Sequence, residues 1–259
     1  MRGNTLGNAP ATLQYLATRR IHREGVFAIP HMLGSEKILD CGCGPGSITS
    51  GLAKLANQFC VGIDNDPISI RFARETSLLA RRHPLFIISD MHSLPFPSDA
   101  FTSVFCHTTL MQSHDPRIVL REILRVLEVG GIFAAREPII SKNYYDPNLR
   151  LPAAFFHCFG SACRLNGGDP DLGARLDELA RNVGFEVISY QYVHQDILHP
   201  NNTEENRLFF CMAGNSEFLS SRAKFSDKAH DIRIAASRSG NRLGLATHAY
   251  AELIACKER

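Results

Sequence analysis

Apolar residues recur at helical spacing through residues 9–29, at Leu13, Leu16, Ala17, Ile21 and Phe27, before Pro30 and Gly34 close the segment. A short strand, Lys37–Asp40, then runs into a glycine-rich turn. Ile48, Leu52, Leu55 and Ala56 repeat along one face of the helix that follows. Phe59–Asp64 is apolar nearly throughout, as a strand buried on both faces must be. Pro67 suits the first turn of a helix reaching about Arg82. Leu85–Ile88 and Phe101–His107 read as strands, 116–127 as an amphipathic helix closed by Gly130-Gly131, and Ile132–Ala135 as a fifth strand.

The rhythm breaks over 138–170, where prolines, Tyr144-Tyr145 and Gly167-Gly168 mark an insertion. A helix near 171–182, a strand near 185–193 and a last strand, Ala249–Cys256, resume it, with 203–240 helical but poorly patterned. Strands alternating with helices predict an α/β fold: a Rossmann-like, doubly wound, mostly parallel seven-stranded sheet with helices on both faces. The expected organisation is a single domain over 1–259. Its core is 35–137, and 1–30, 138–170 and 203–240 form a lid over the carboxyl edge of the strands, bordering an acceptor pocket.

Charge narrows the choice of partners. Lys and Arg number 28 against 26 Asp and Glu, a net charge of +2, which favours neither nucleic acid nor a membrane surface. The locally basic stretch Arg222–Arg242 is interrupted by Asp227 and Asp231 and reads as a solvated helix face. The eight cysteines show no paired zinc spacing, so no metal is expected and reduced thiols in a cytoplasmic protein are. The pattern specifies no oligomeric state.

The chemistry centres on Asp40-Cys41-Gly42-Cys43-Gly44-Pro45-Gly46, between a strand and a helix. Missing Cβ atoms there let a ligand lie against the backbone, at the sheet edge where open α/β folds bind ligands. A glycine turn can also serve only strand–helix packing. Asp64, ending the next strand 18 residues beyond Gly46 with Asn65 beside it, is placed to accept hydrogen bonds from ribose hydroxyls. Asp66 is the better helix cap. The third small residue falls at Gly46 rather than Ser47, off the dinucleotide spacing, and Asp40 precedes the loop. A carboxylate does nothing for a pyrophosphate but attracts an ammonium, which favours S-adenosyl-L-methionine over a nicotinamide dinucleotide. Asp90, closing the third strand, could accept the adenine amino hydrogens with Met91 against the ring.

The segment ILDCGCGPGSIT (Ile38–Thr49), the Leu94-Pro95-Phe96 turn, Asp99-Ala100-Phe101 and Arg121–Leu127 resemble class I S-adenosylmethionine-dependent methyltransferases. The nearest group is the ubiquinone/menaquinone-biosynthesis C-methyltransferase-like enzymes, with Asn166–Asp171 and the Arg19…Pro30-His31 segment similar to small fungal members. The resemblance implies that Asp40, Gly42, Gly44 and Gly46 hold the methionine half. It assigns Asp64 to ribose, Asp90 and Met91 to adenine, His107 to a contact beside the sulfonium, and Arg19 to closing the N-terminal helix over the cofactor. Gln112 stands where relatives often carry histidine, and the chain has no tryptophan.

The expected reaction is methyl transfer to a small-molecule acceptor, of the kind made in specialised metabolism. Candidate bases are His107 and His114, in the loop after the fourth strand, and Tyr144, Tyr145 and His157 are candidates to line the acceptor pocket. The alternative is an enzyme that binds the same cofactor without consuming it while accelerating a cyclisation or rearrangement.

Overall fold

The computed structural model describes residues 5, 7–77, 83–146, 150–196, 208–209, 212 and 246–258. Among the described residues, eight strands form one sheet: β1 (Lys37–Cys41), β2 (Phe59–Asp64), β3 (Leu85–Ile88), β4 (Phe101–His107), β5 (Leu127–Pro138), β6 (Tyr144–Tyr145), β7 (Phe185–Asp196) and β8 (Ala246–Lys257). The order runs β3-β2-β1-β4-β5-β8, with β7 on the far side of β8 and two-residue β6 pairing only its first residues. β1 to β5 pair in parallel, and β8 runs antiparallel to both β5 and β7. The seven expected strands are therefore present, with β6 an addition from within the insertion.

Alternation along the central strands separates two apolar layers. Ile38, Phe105, Ala134 and Ile254 pack with Met32, Ile48 and Leu52, from α3 (Ile29–Met32) and α4 (Ser47–Leu52). Leu39, Val104, Phe133 and Leu253 face the other way, onto α6 (Pro116–Val126) and α8 (Leu176–Val183). Asp115 caps α6 by accepting the Arg117 N–H at 3.0 Å. α5 (Pro67–Ser77) is capped by Asp66, whose carboxylate accepts the N–H groups of Ile68 and Ser69.

The leading segment differs from expectation. Residues 9–29 are not one helix but α1 (Pro10–Leu16) and α2 (Ile21–Glu24), followed by α3. Thr18 Oγ1 and Arg20 donate to the carbonyls of Tyr15 and Ala17, taking over acceptors that a continuing helix would use. In the insertion, α7 (Arg150–Leu165) follows β6, and the helix expected near 171–182 opens with a 3-10 turn, Leu172–Arg175. The end of the helix expected to reach Arg82, the basic stretch 222–242 and nearly all of 203–240 lie outside the described residues. Among the described residues, no helix is long and apolar enough to cross a membrane.

Candidate functional site

A cavity of about 660 Å³ opens at the carboxyl ends of the parallel strands. Each strand end delivers something to it. β1 ends in the glycine turn, where Gly42 and Cys43 both donate their N–H to the Ile63 carbonyl. Gly42 has φ +80°, and a Cβ there would meet the Thr109 side chain at 2.3 Å, so glycine is needed twice over. Gly46 (φ +77°) is also obligatory, but a Cβ on it would strike Phe86, at 2.6 Å. Gly46 therefore packs the start of α4 against Phe86, while its neighbours Pro45 and Ser47 border the cavity.

Asp40, Gly42, Gly44, Asp64, Asn65, Asp90 and Met91 do border the cavity. Asp40 is buried, and Thr49 Oγ1 donates to it at 2.6 Å. Burial, together with the Asp64 charge, pushes its pKa up to about 7, despite the Thr49 hydroxyl. Asp64 Oδ2 accepts the Gly44 N–H and Oδ1 that of Asp66, both at 2.9 Å. Burial raises its carboxyl above the usual range, and those backbone donors act in the opposite sense. Asp90 is the exposed member, held below the usual range by donation from the His92 backbone. Its Oδ1 also lies 2.7 Å from His92 Nδ1.

The loop after β4 forms the cavity's middle. Thr108 sits at φ +54°, a region that β-branched residues avoid, and its hydroxyl accepts from Arg19 Nη1 at 3.1 Å. Glu137, wholly buried on β5, accepts the N–H groups of Thr109, Leu110 and Met111 at 2.8–3.1 Å. That single carboxylate holds the loop as an N-terminal cap would, and burial raises its pKa to about 7.

The two candidate bases part company. His107 lines the cavity but is buried, and neither ring nitrogen has a hydrogen-bond partner among the described residues. Burial, then the charges of Arg19, Arg136 and Arg23, hold its pKa well below the usual value, so the ring is neutral and a weak base. His114 also borders the cavity, but on its exposed side, where it stacks on His92 at 4.4 Å.

Of the proposed acceptor-pocket residues, none lines the cavity. Tyr144 is 52% exposed. Tyr145 accepts from Asn143 Nδ2 and stacks on Phe156 from outside, and His157 is exposed. The reason is the setting of α7: Phe155, Phe156 and Phe159 share one stripe of the helix and face inward, which turns His157 outward.

The far wall comes from residues that sequence reasoning passed over. Phe155, Phe156, Phe209 and Met212 meet His248 and Tyr250 of β8 there. Behind them Arg136 lies 4.2 Å over the Tyr250 ring and bonds Glu24 at 3.4 Å, with Glu252 at 3.6 Å. Period-two alternation in the last strand was the available signal: His248, Tyr250 and Glu252 fall on one face. The seven described cysteines are free, and no group of three or more metal-ligating side chains occurs among the described residues.

Comparison with known proteins places this geometry. Residues 34–166 match the family model described as a methyltransferase domain. A protein of Aspergillus luteorubrus named probable methyltransferase ltbC is 32% identical over 196 residues, covering 70% of this chain and 68% of that one. Cycloartenol-C-24-methyltransferase of Arabidopsis thaliana is 29% identical over 59% of this chain, which spans 45% of that enzyme's length. Among solved structures, the [4+2]-cyclase SpnF superposes with a TM-score of 0.56 at 22% identity, covering 96% of this chain and 80% of that one, a likeness of fold alone. The chain thus belongs to the methyltransferase-domain family and is a class I, S-adenosylmethionine-dependent methyltransferase.

Proposed function

We propose that the end of the cavity bearing Asp40, Asp64 and Asp90 holds S-adenosyl-L-methionine, and that the phenylalanine-lined end takes a largely apolar acceptor. The carrying observation is one continuous cavity that Asp40, Asp64 and Asp90 border from the strand ends and an aromatic wall borders from α7 and β8, with Gln195 and Asp196 of β7 beside that wall. The donor set fits the cofactor: a buried carboxyl raised to about 7 gains from a cationic ligand, which restores its charged form. Asp40 attracts the methionine ammonium, Asp64 with Asn65 accepts from the ribose, and Asp90 with Met91 takes the adenine. Arg19, tied to Thr108, brings a positive charge to the same cavity, suited to the methionine carboxylate.

The bound cofactor supplies a methyl group on a sulfonium, which is already a good leaving group. The chain's own residues then align the acceptor and exclude water. His107, neutral and with no hydrogen-bond partner among the described residues, offers a polar contact beside the reacting atoms without placing a second positive charge there. Residues of 1–30 and 138–170 that border the cavity act as the lid. The apolar acceptor class is consistent with the relatives named for cycloartenol, sterols and squalene. Membership of the ubiquinone/menaquinone-type C-methyltransferase-like group, which the motifs suggest, is part of this proposal.

The test is calorimetry with S-adenosylmethionine, S-adenosylhomocysteine and NAD, followed by mass spectrometry of apolar metabolites incubated with methyl-labelled cofactor. Binding of both sulfur ligands and label in the acceptor support the reading. NAD binding with no response to either sulfur ligand overturns it. Turnover that leaves the cofactor unconsumed replaces methylation with a cyclisation or rearrangement.

A further inference from the structure

One polar group in the apolar wall has no use in the scheme above. His248, at the start of β8, borders the cavity, and Phe156 meets its ring edge-to-face at 4.0 Å. Its Nδ1 lies 3.0 Å from the Tyr250 hydroxyl. Its Nε2 is buried and has no hydrogen-bond partner among the described residues. Native folds seldom leave such an atom unpaired unless something else satisfies it.

The proton count decides what that atom offers. Burial first, then the charges of Arg19 and Arg136, hold His248 down to about 3, so the ring is neutral and carries one N–H. Burial keeps Tyr250 a phenol. If Nδ1 were the donor, both the Nε2 lone pair and the tyrosine O–H would be left without partners. If the tyrosine donates to Nδ1, only Nε2–H is left over. The second arrangement strands fewer buried groups, so Nε2 is the donor.

We propose that His248 Nε2–H binds an oxygen of the acceptor, so that the acceptor class is an apolar, ring-bearing molecule with a carbonyl or hydroxyl oxygen at its buried end. This rests on the assignment of the aromatic end to the acceptor. His248 is here a binding and positioning residue, and the methyl is not transferred to or from it. Tyr250 fixes its tautomer, and Phe156 fixes its plane. Phe155, Phe209 and Met212 beside it offer no donor, and Gln195, which faces His248 across the β7–β8 ladder and also borders the cavity, has its Oε1 buried without a hydrogen-bond partner among the described residues.

The test uses the full chain and a matched pair of probes, 2-acetylnaphthalene and its isosteric hydrocarbon 2-isopropenylnaphthalene. Wild type is expected to bind the ketone about tenfold more tightly, the order of one well-made hydrogen bond. His248→Phe, which keeps a ring against Phe156, should lower that preference to about twofold or less while binding the hydrocarbon and S-adenosylhomocysteine as before. An equal preference in wild type and variant overturns the proposal, as does failure of wild type to bind either probe. Nitrogen-15 NMR of labelled histidine in wild type is a second readout, independent of how the variant folds. It should show His248 protonated on Nε2 and that resonance moving on addition of the ketone; protonation on Nδ1 overturns the assignment. Probe binding is measured without cofactor. Failure of S-adenosylhomocysteine to bind wild type would therefore sink the methyltransferase reading of the cavity and leave the His248 result to stand or fall separately.

Discussion

Asp64 Oδ2 accepts the N–H of Gly44 at 2.9 Å, so the carboxylate proposed for the ribose also pins the glycine loop. Asp64→Ala should weaken S-adenosylhomocysteine binding by about 1–3 kcal/mol and lower stability by about 1 kcal/mol, through the lost loop bond. Calorimetry and urea unfolding separate the two. Normal binding with lowered stability would leave Asp64 a purely structural residue.

Cofactor affinity should depend on pH through Asp40. Its carboxyl is raised in the folded chain from the usual 3.8 to about 7, so the unliganded fold holds a proton that the unfolded chain releases. Stability contributed by this group is present below about pH 4 and falls as pH rises towards 7. A cationic ligand needs the carboxylate, and must displace that proton at low pH. S-adenosylmethionine affinity should therefore rise with pH, by up to about tenfold per unit below pH 7, and level off above it. In Asp40→Asn, calorimetry should find weaker binding that no longer follows this curve.

Glu137→Ala strands three backbone N–H groups in a buried loop. A loss of about 2–4 kcal/mol in urea unfolding is expected, with faster amide exchange at residues 109–111. Unchanged exchange there would mean that the loop is held by its packing.

Thr108→Gly relieves a threonine at φ +54° and removes the hydroxyl that accepts from Arg19. Stability should rise by about 1 kcal/mol while cofactor affinity drops severalfold, a gain and a loss in opposite currencies of function. A rise in melting temperature without loss of affinity would free Arg19 from its assigned part.

The carboxylate end of the cavity was legible in the sequence because its acids stand at the ends of the first three strands, the first of which runs straight into a glycine turn. Parallel pairing alone then brings Asp40, Asp64 and Asp90 to one edge. The aromatic end was not. Whether Phe156 or its neighbour His157 faces inward depends on the rotation of α7 about its axis, which packing sets. His248 reaches the cavity only because β8 inserts between β5 and β7, a pairing no local pattern encodes. Glu137 read as an ordinary strand residue, since its three partners come from a loop 26–28 positions earlier. Nor does the sequence say that two glycines in one turn answer to different neighbours, here Thr109 for Gly42 and Phe86 for Gly46.

β8 hydrogen-bonds to a neighbour on each side, and it carries both His248 and Tyr250. The wall that would choose the acceptor is thus built from the second half of the chain, in part on a strand held along both edges, while the turn and the acids come from the first half. Exchange of residues 150–258 between family members is therefore a graft along a natural seam. Such a chimera should inherit its acceptor from one parent and its methyl donor site from the other.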